Sequence, residues 1–189
     1  MAKSRNGAYG GGVACVDWAA DRLLHELRSL GIEKETMVIF TSDNGSRGDH
    51  GGCNAPLRGK KATTWEGGQR VPFIVYWPGT VPAGRVCKEV VSSMDFLPTL
   101  AKLAGAEVPK DRKIDGHDIS DLLTGKAGAK SPWDEFFYFR KGQLECVRCG
   151  KWKLHEAKND AVMLELYDLG ADVGETKNLA AEHPDIVKE

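Results

Sequence analysis

A short, continuous apolar run, Thr36-Met-Val-Ile-Phe-Thr41, empties abruptly into the polar turn Ser42-Asp43-Asn44-Gly45, and this junction fixes the class of fold. The run is rich in branched and aromatic residues, which suits a strand covered on both faces. Before it, Val16, Ala20, Leu23, Leu27 and Leu30 recur at three- and four-residue steps. That spacing predicts a helix over 13–30 with one buried stripe, stopped by Gly31. A helix feeding a buried strand points to an α/β sheet.

The strand pattern resumes at Val71-Pro-Phe-Ile-Val-Tyr-Trp77, closed by Pro78-Gly79, and again from Cys87 to Ser92, so at least three strands are expected. Between the first two lies a glycine-rich, charged stretch, 45–70, with no sustained periodicity. It reads as a long loop, and long loops inside compact domains are usually functional. Asp95 is expected to cap a helix running to Ala104, with Pro98 in its first turn and Gly105 ending it. Asp115-Gly116-His117-Asp118 leads into a short helix at 119–123, and 125–132 reads as a connector. Four strand-like pieces follow, 135–140, 144–149, 151–156 and 163–169, as in an antiparallel meander, and His183-Pro184 starts a helix. The expected organisation is a mixed sheet flanked by helices over residues 1–130, then a small antiparallel subdomain over 131–189.

With 26 basic and 27 acidic side chains the net charge is -1, so no global field favours nucleic acid or an anionic membrane. The amino terminus has a basic start but no apolar run behind it, so the chain as written carries neither export signal nor span and is assigned to the cytoplasm. The five cysteines are an odd, scattered set, read as buried or half-buried strand residues rather than a disulfide framework.

Asp43-Asn44 sits where the strand runs out, and ligands of open α/β sheets collect at the carboxyl ends of strands. A carboxylate beside an amide oxygen offers two hard ligands to a divalent cation, although Asp-Asn-Gly is also a common turn. His50, in the loop, either lines a substrate pocket or is a solvated histidine.

These residues keep company with Asn54-Ala-Pro-Leu-Arg-Gly-Lys-Lys61, Trp65-Glu-Gly-Gly-Gln-Arg-Val-Pro72, Trp77-Pro-Gly79 and Ser93-Met-Asp-Phe-Leu-Pro-Thr99. Asp115-Gly-His-Asp118 and Leu166-Tyr-Asp-Leu169 with Glu175 follow in order. From Tyr9 to Glu189 the chain resembles the formylglycine-dependent sulfatases, arylsulfatase-like sulfuric ester hydrolases of the alkaline phosphatase superfamily. The resemblance implies part of an alkaline-phosphatase-like mixed α/β sheet followed by a small antiparallel sheet. It implies that Asp43 and Asn44 are ligands of calcium (or magnesium) and that Lys61, with Lys60 as the competing register, contacts the sulfate of a small-molecule or glycan ester. Glu66 and Arg70 are expected to brace the loop as an ion pair.

The family's nucleophile, a formylglycine made in a Cys/Ser-x-Pro-x-Arg segment, has no counterpart in these 189 residues. Two ligands also fall short of the ~6–8 oxygens that calcium takes. The expectation is therefore a carboxyl-terminal portion, truncated before Met1 and inside its last helix, inactive alone and completed by an amino-terminal half. The family usually works outside the cytosol, in the periplasm, the lysosome or the medium, which leaves the location open. A phosphate or phosphonate ester hydrolase of the same superfamily and a non-catalytic binding fragment are the competing readings.

Overall fold

The computed structural model describes residue 4, residues 6–158 and residues 161–189. Met1, on which the expected truncation turns, lies outside them. Helix α1 spans Gly7–Ser29, strand β1 Val38–Thr41, helix α2 Glu66–Gln69 and strand β2 Phe73–Tyr76; β1 and β2 form a two-stranded sheet. Helices α3 (Phe96–Leu103) and α4 (Ser120–Thr124) precede strands β3 (Glu135–Arg140), β4 (Gln143–Cys149), β5 (Trp152–Lys158) and β6 (Ala161–Asp168), and helix α5 (Pro184–Lys188) closes the chain. Strands β3 to β6 make one antiparallel meander in sequence order. No helix among the described residues is long and apolar enough to cross a membrane.

Several expectations change. Cys87 to Ser92 forms no strand, so the first sheet has two strands among the described residues. Two of that segment's groups are occupied elsewhere: the Val90 carbonyl accepts from Ser131 Oγ at 2.7 Å, and Ser92 caps the turn that leads into α3. Asp95 holds the N-cap position of α3 but makes no side-chain cap bond there; it is instead the capping-box partner of Ser92 in the preceding turn, accepting from the Ser92 amide at 2.7 Å. The stripe of α1 is not buried, since Val16, Leu23 and Leu30 are exposed, and Phe40 of β1 is 44% exposed. Of the five free cysteines only Cys146 is buried. Burial pushes its thiol up to about 12, so it is an inert core group.

The chain divides into two compact units. One comprises residues 1–26, 40–73 and 135–189; the other comprises residues 27–39 and 74–134. Within the first, the segment 64–68 is buried, and its Trp65, 2% exposed, shares a core with Tyr167 and Leu169. Burying the indole gives a large apolar contribution, about 2 kcal/mol or more. The Arg58 guanidinium stacks over it at 3.7 Å and donates to Tyr167 Oη at 2.8 Å. Within the second, Asp95 is fully buried and gathers the Ser92 and His117 amides and the Trp133 indole N–H, which fixes the start of α3.

Candidate active site

Strand β1 ends at Thr41, and the next residues deliver Asp43 and Asn44 to an open cleft of about 410 Å³. Its lining includes Tyr9, Asp43, Asn44, Arg47, His50 and Lys61. The four residues singled out in the sequence therefore share one cleft, and Lys61 rather than Lys60 faces it. Asp43 is exposed, with Ser42 Oγ 3.5 Å from its Oδ1. Asn44 Oδ1 is buried without a hydrogen-bond partner. A buried amide oxygen left unmatched is unfavourable by about 1–3 kcal/mol.

The glycines around this turn allow close backbone approach. The Gly45 amide donates to the Gly68 carbonyl at 3.0 Å, and a Cβ on Gly45 would lie 1.7 Å from the Gly67 oxygen. Lys61 is placed by its own amide, which donates to the Ser46 carbonyl at 3.1 Å. The next residue, Ala62, has φ 67°, a left-handed conformation that a residue with a Cβ adopts at a cost of about 1 kcal/mol. His50 and Arg47 lie on the loop beyond, on either side of Asp49: Arg47 Nε is 3.0 Å and His50 Nε2 3.7 Å from its carboxylate. His50 is 72% exposed in its side chain, so it is both a solvated loop histidine and part of the cleft rim.

Beneath the lysine loop lies a buried charge cluster that sequence reasoning missed. Lys153 Nζ is 2.9 Å from Glu66 Oε1 and 3.1 Å from Glu175 Oε1, with none of the three side chains more than 2% exposed. Glu175 Oε2 also accepts the Glu66 amide at 2.8 Å, and Oε1 lies 3.3 Å from His155 Nε2. Burial alone would raise the Glu175 carboxyl, but His155, Lys153 and the Glu66 amide together hold it below its usual range. Burial lowers the His155 imidazole, against the pull of Glu175. His155 is thus neutral near pH 7, its Nε2–H donated to Glu175, its ring 4.0 Å from that of Trp65, and its Nδ1 without a partner. The expected Glu66–Arg70 pair exists only at 3.9 Å with Arg70 largely exposed, so the partner that braces Glu66 is Lys153. The signal available for this was Glu66 set between Trp65 and the Gly67-Gly68 pair; nothing local in Lys153 announced its partner.

Among the described residues no group of three or more His, Cys, Asp or Glu side chains is arranged to hold a metal ion. What the cleft offers a cation is one carboxylate and one orphaned amide oxygen, hard donors that fit calcium or magnesium. The same cleft is also lined by Lys61, whose ammonium group is suited to an oxyanion.

A mixed α/β scaffold carries a strand-end Asp-Asn pair and a lysine on one cleft, and comparison with known proteins gives its family. The family model described as Sulfatase matches residues 3–106, and that described as N-sulphoglucosamine sulphohydrolase, C-terminal, matches residues 59–188. The chain belongs to the sulfatase family, and its fold is a carboxyl-terminal portion of the alkaline-phosphatase-like sulfatase fold. It is 46% identical to mouse (Mus musculus) steryl-sulfatase over 154 residues, covering 77% of this chain and 24% of that protein. It is 38% identical to human (Homo sapiens) arylsulfatase A over 205 aligned positions, covering 94% of this chain and 40% of that one. Among solved structures, Ps i-CgsB matches with TM-score 0.85 and 29% identity over 98% of this chain and 42% of its own. BT4656, solved with its substrate D-glucosamine-2-N,6-O-disulfate, matches with TM-score 0.75 and 30% identity over 95% and 37%. The chain thus spans less than half the length of these relatives.

Proposed function

We propose that this chain supplies the downstream face of the active site of a sulfuric ester hydrolase. Asp43 and Asn44 hold a divalent cation, calcium or magnesium, and Lys61 binds and catalytically stabilises the sulfate. The observation that supports this most is the buried, unpartnered Asn44 Oδ1 in the cleft that Lys61 also lines. A bound divalent cation supplies Lewis acidity at the sulfate oxygens. The residues of this chain do the rest: Asp43 and Asn44 fix the cation, and the Lys61 ammonium stabilises negative charge on sulfate oxygen as the S–O bond breaks. His50, on the cleft rim, is assigned to the alcohol side of the ester.

The formylglycine nucleophile and the remaining cation ligands come from an upstream half that these residues do not contain, so this chain alone is inactive. In the parent protein, residues 1–130 belong to the catalytic α/β domain and 131–189 to a small sheet subdomain. The substrate is a sulfate monoester of an aryl, steroid or sugar alcohol; the disulfated glucosamine bound to BT4656 makes sugar sulfates the first class to try. The test joins this chain to an upstream half bearing a matured nucleophile and follows sulfate release from aryl and sugar sulfates. Turnover lost on Lys61→Ala is expected; no release from any sulfate ester overturns the reading.

A further inference from the structure

Asn54 lies outside the cleft lining, yet its side chain joins the two segments that build the cleft. Asn54 Oδ1 accepts the Ser46 amide at 2.8 Å, and Asn54 Nδ2 donates to the Ser46 carbonyl at 2.8 Å and to the Gly59 carbonyl at 3.1 Å. The paired bonds to Ser46 imitate the exchange between two strands, with a side-chain amide in place of a backbone one. The Ser46 carbonyl also accepts the amide of Lys61. One residue therefore grips the backbone two positions past Asn44 and, on the other side, the backbone two positions before Lys61. Between Ser46 and Asn54 the loop contains Gly48, Gly51 and Gly52, with φ 86° and 95° at the first two, and has no regular structure of its own to hold that spacing.

We infer that Asn54 is a positioning residue that sets the separation of the Asp43–Asn44 pair from Lys61 and leaves the loop 47–53 free to change without disturbing it. This rests on the cation and sulfate roles proposed above for those three residues. A side chain with both a donor and an acceptor is needed, because Ser46 presents an N–H and a C=O side by side. Aspartate at 54 keeps the bond from the Ser46 amide and loses both donated bonds. Alanine loses all three.

The test measures amide hydrogen exchange residue by residue in the native chain, Asn54→Ala and Asn54→Asp, together with the thermal midpoint. Asn54→Ala is expected to speed exchange at both Ser46 and Lys61 by about tenfold or more. Asn54→Asp is expected to speed Lys61 while Ser46 stays protected. The Glu66 and Gly67 amides, held by Glu175 and by the Arg58 carbonyl, should keep their protection in both variants. A general loss of protection across residues 64–68 would mean a merely structural role and overturns the proposal, as does unchanged exchange at Lys61 in Asn54→Ala. A parallel titration with terbium(III), read through Tyr9 of the cleft, separates this from the functional reading. Weaker terbium binding in Asn54→Ala, about tenfold, at an unchanged midpoint supports positioning. Terbium binding indifferent to Asp43→Ala overturns the cation assignment and, with Lys61 exchange raised in Asn54→Ala, still supports the bracing of Lys61.

Discussion

Lys153 Nζ lies 2.9 Å from Glu66 Oε1 with no part of the Lys153 side chain exposed, which ties strand β5 to the helix that follows the lysine loop. Removing the ammonium leaves Glu66 and Glu175 buried and facing each other. Lys153→Met should therefore destabilise the chain by about 3–5 kcal/mol, read as a shift of the urea midpoint. A loss under 1 kcal/mol would show that the cluster is not buried in solution.

Acid should weaken the same cluster in two stages. His155 has a folded pKa below its ordinary 6.5 and Glu175 one below its ordinary 4.5. In both, the unfolded chain binds the proton first, so stability is full above the ordinary value and declines as pH falls through the folded one. The thermal midpoint should drop as pH falls below about 6.5 and drop further below about 4.5. His155→Phe should flatten the first stage and, by removing a bond to Glu175, shrink the second; an unaltered profile in that variant would contradict the assignment.

Ala62, at φ 67° beside Lys61, stores backbone strain. Ala62→Gly should stabilise the chain by up to about 1 kcal/mol, because glycine enters the left-handed region freely, partly offset by its greater unfolded-state entropy. Chemical denaturation decides the sign. A destabilisation above that size would mean the Ala62 methyl contributes packing that outweighs the strain.

Gly45 gives the opposite case. Its missing Cβ would sit 1.7 Å from the Gly67 oxygen, backbone that cannot step aside cheaply. Gly45→Ala should destabilise by about 2 kcal/mol or more and weaken cation binding at Asn44 by displacing the turn. Native-like stability with native cation affinity would refute the close approach.

Much of the fold was legible because local pattern and tertiary outcome coincide. Each of the four predicted strands beyond Asp134 overlaps an observed one, set apart by Gly and polar turns that do not compete with the strand pattern. Cys87 to Ser92 misled because strand propensity is blind to whether a partner is present. The α1 periodicity gave the helix, but a stripe only shows which face wants cover, not that cover exists. Asp43, Asn44 and Lys61 were found from motifs and His50 from its place in the loop between them, and all four line one cleft. Lys153 and Asn54 were not assigned roles, since their partners are 87 residues away in one case and, in the other, backbone atoms that carry no sequence signature.

The most direct test of the central claim is calorimetry of this chain with calcium in the presence of inorganic sulfate, beside Asp43→Ala and Lys61→Ala. Asp43, Asn44 and Lys61 acting as one cation and sulfate site predict joint binding in which calcium strengthens sulfate. Asp43→Ala should abolish the calcium signal, and Lys61→Ala should remove the sulfate contribution. Binding that survives both substitutions, or no joint binding at millimolar ligand, would contradict it.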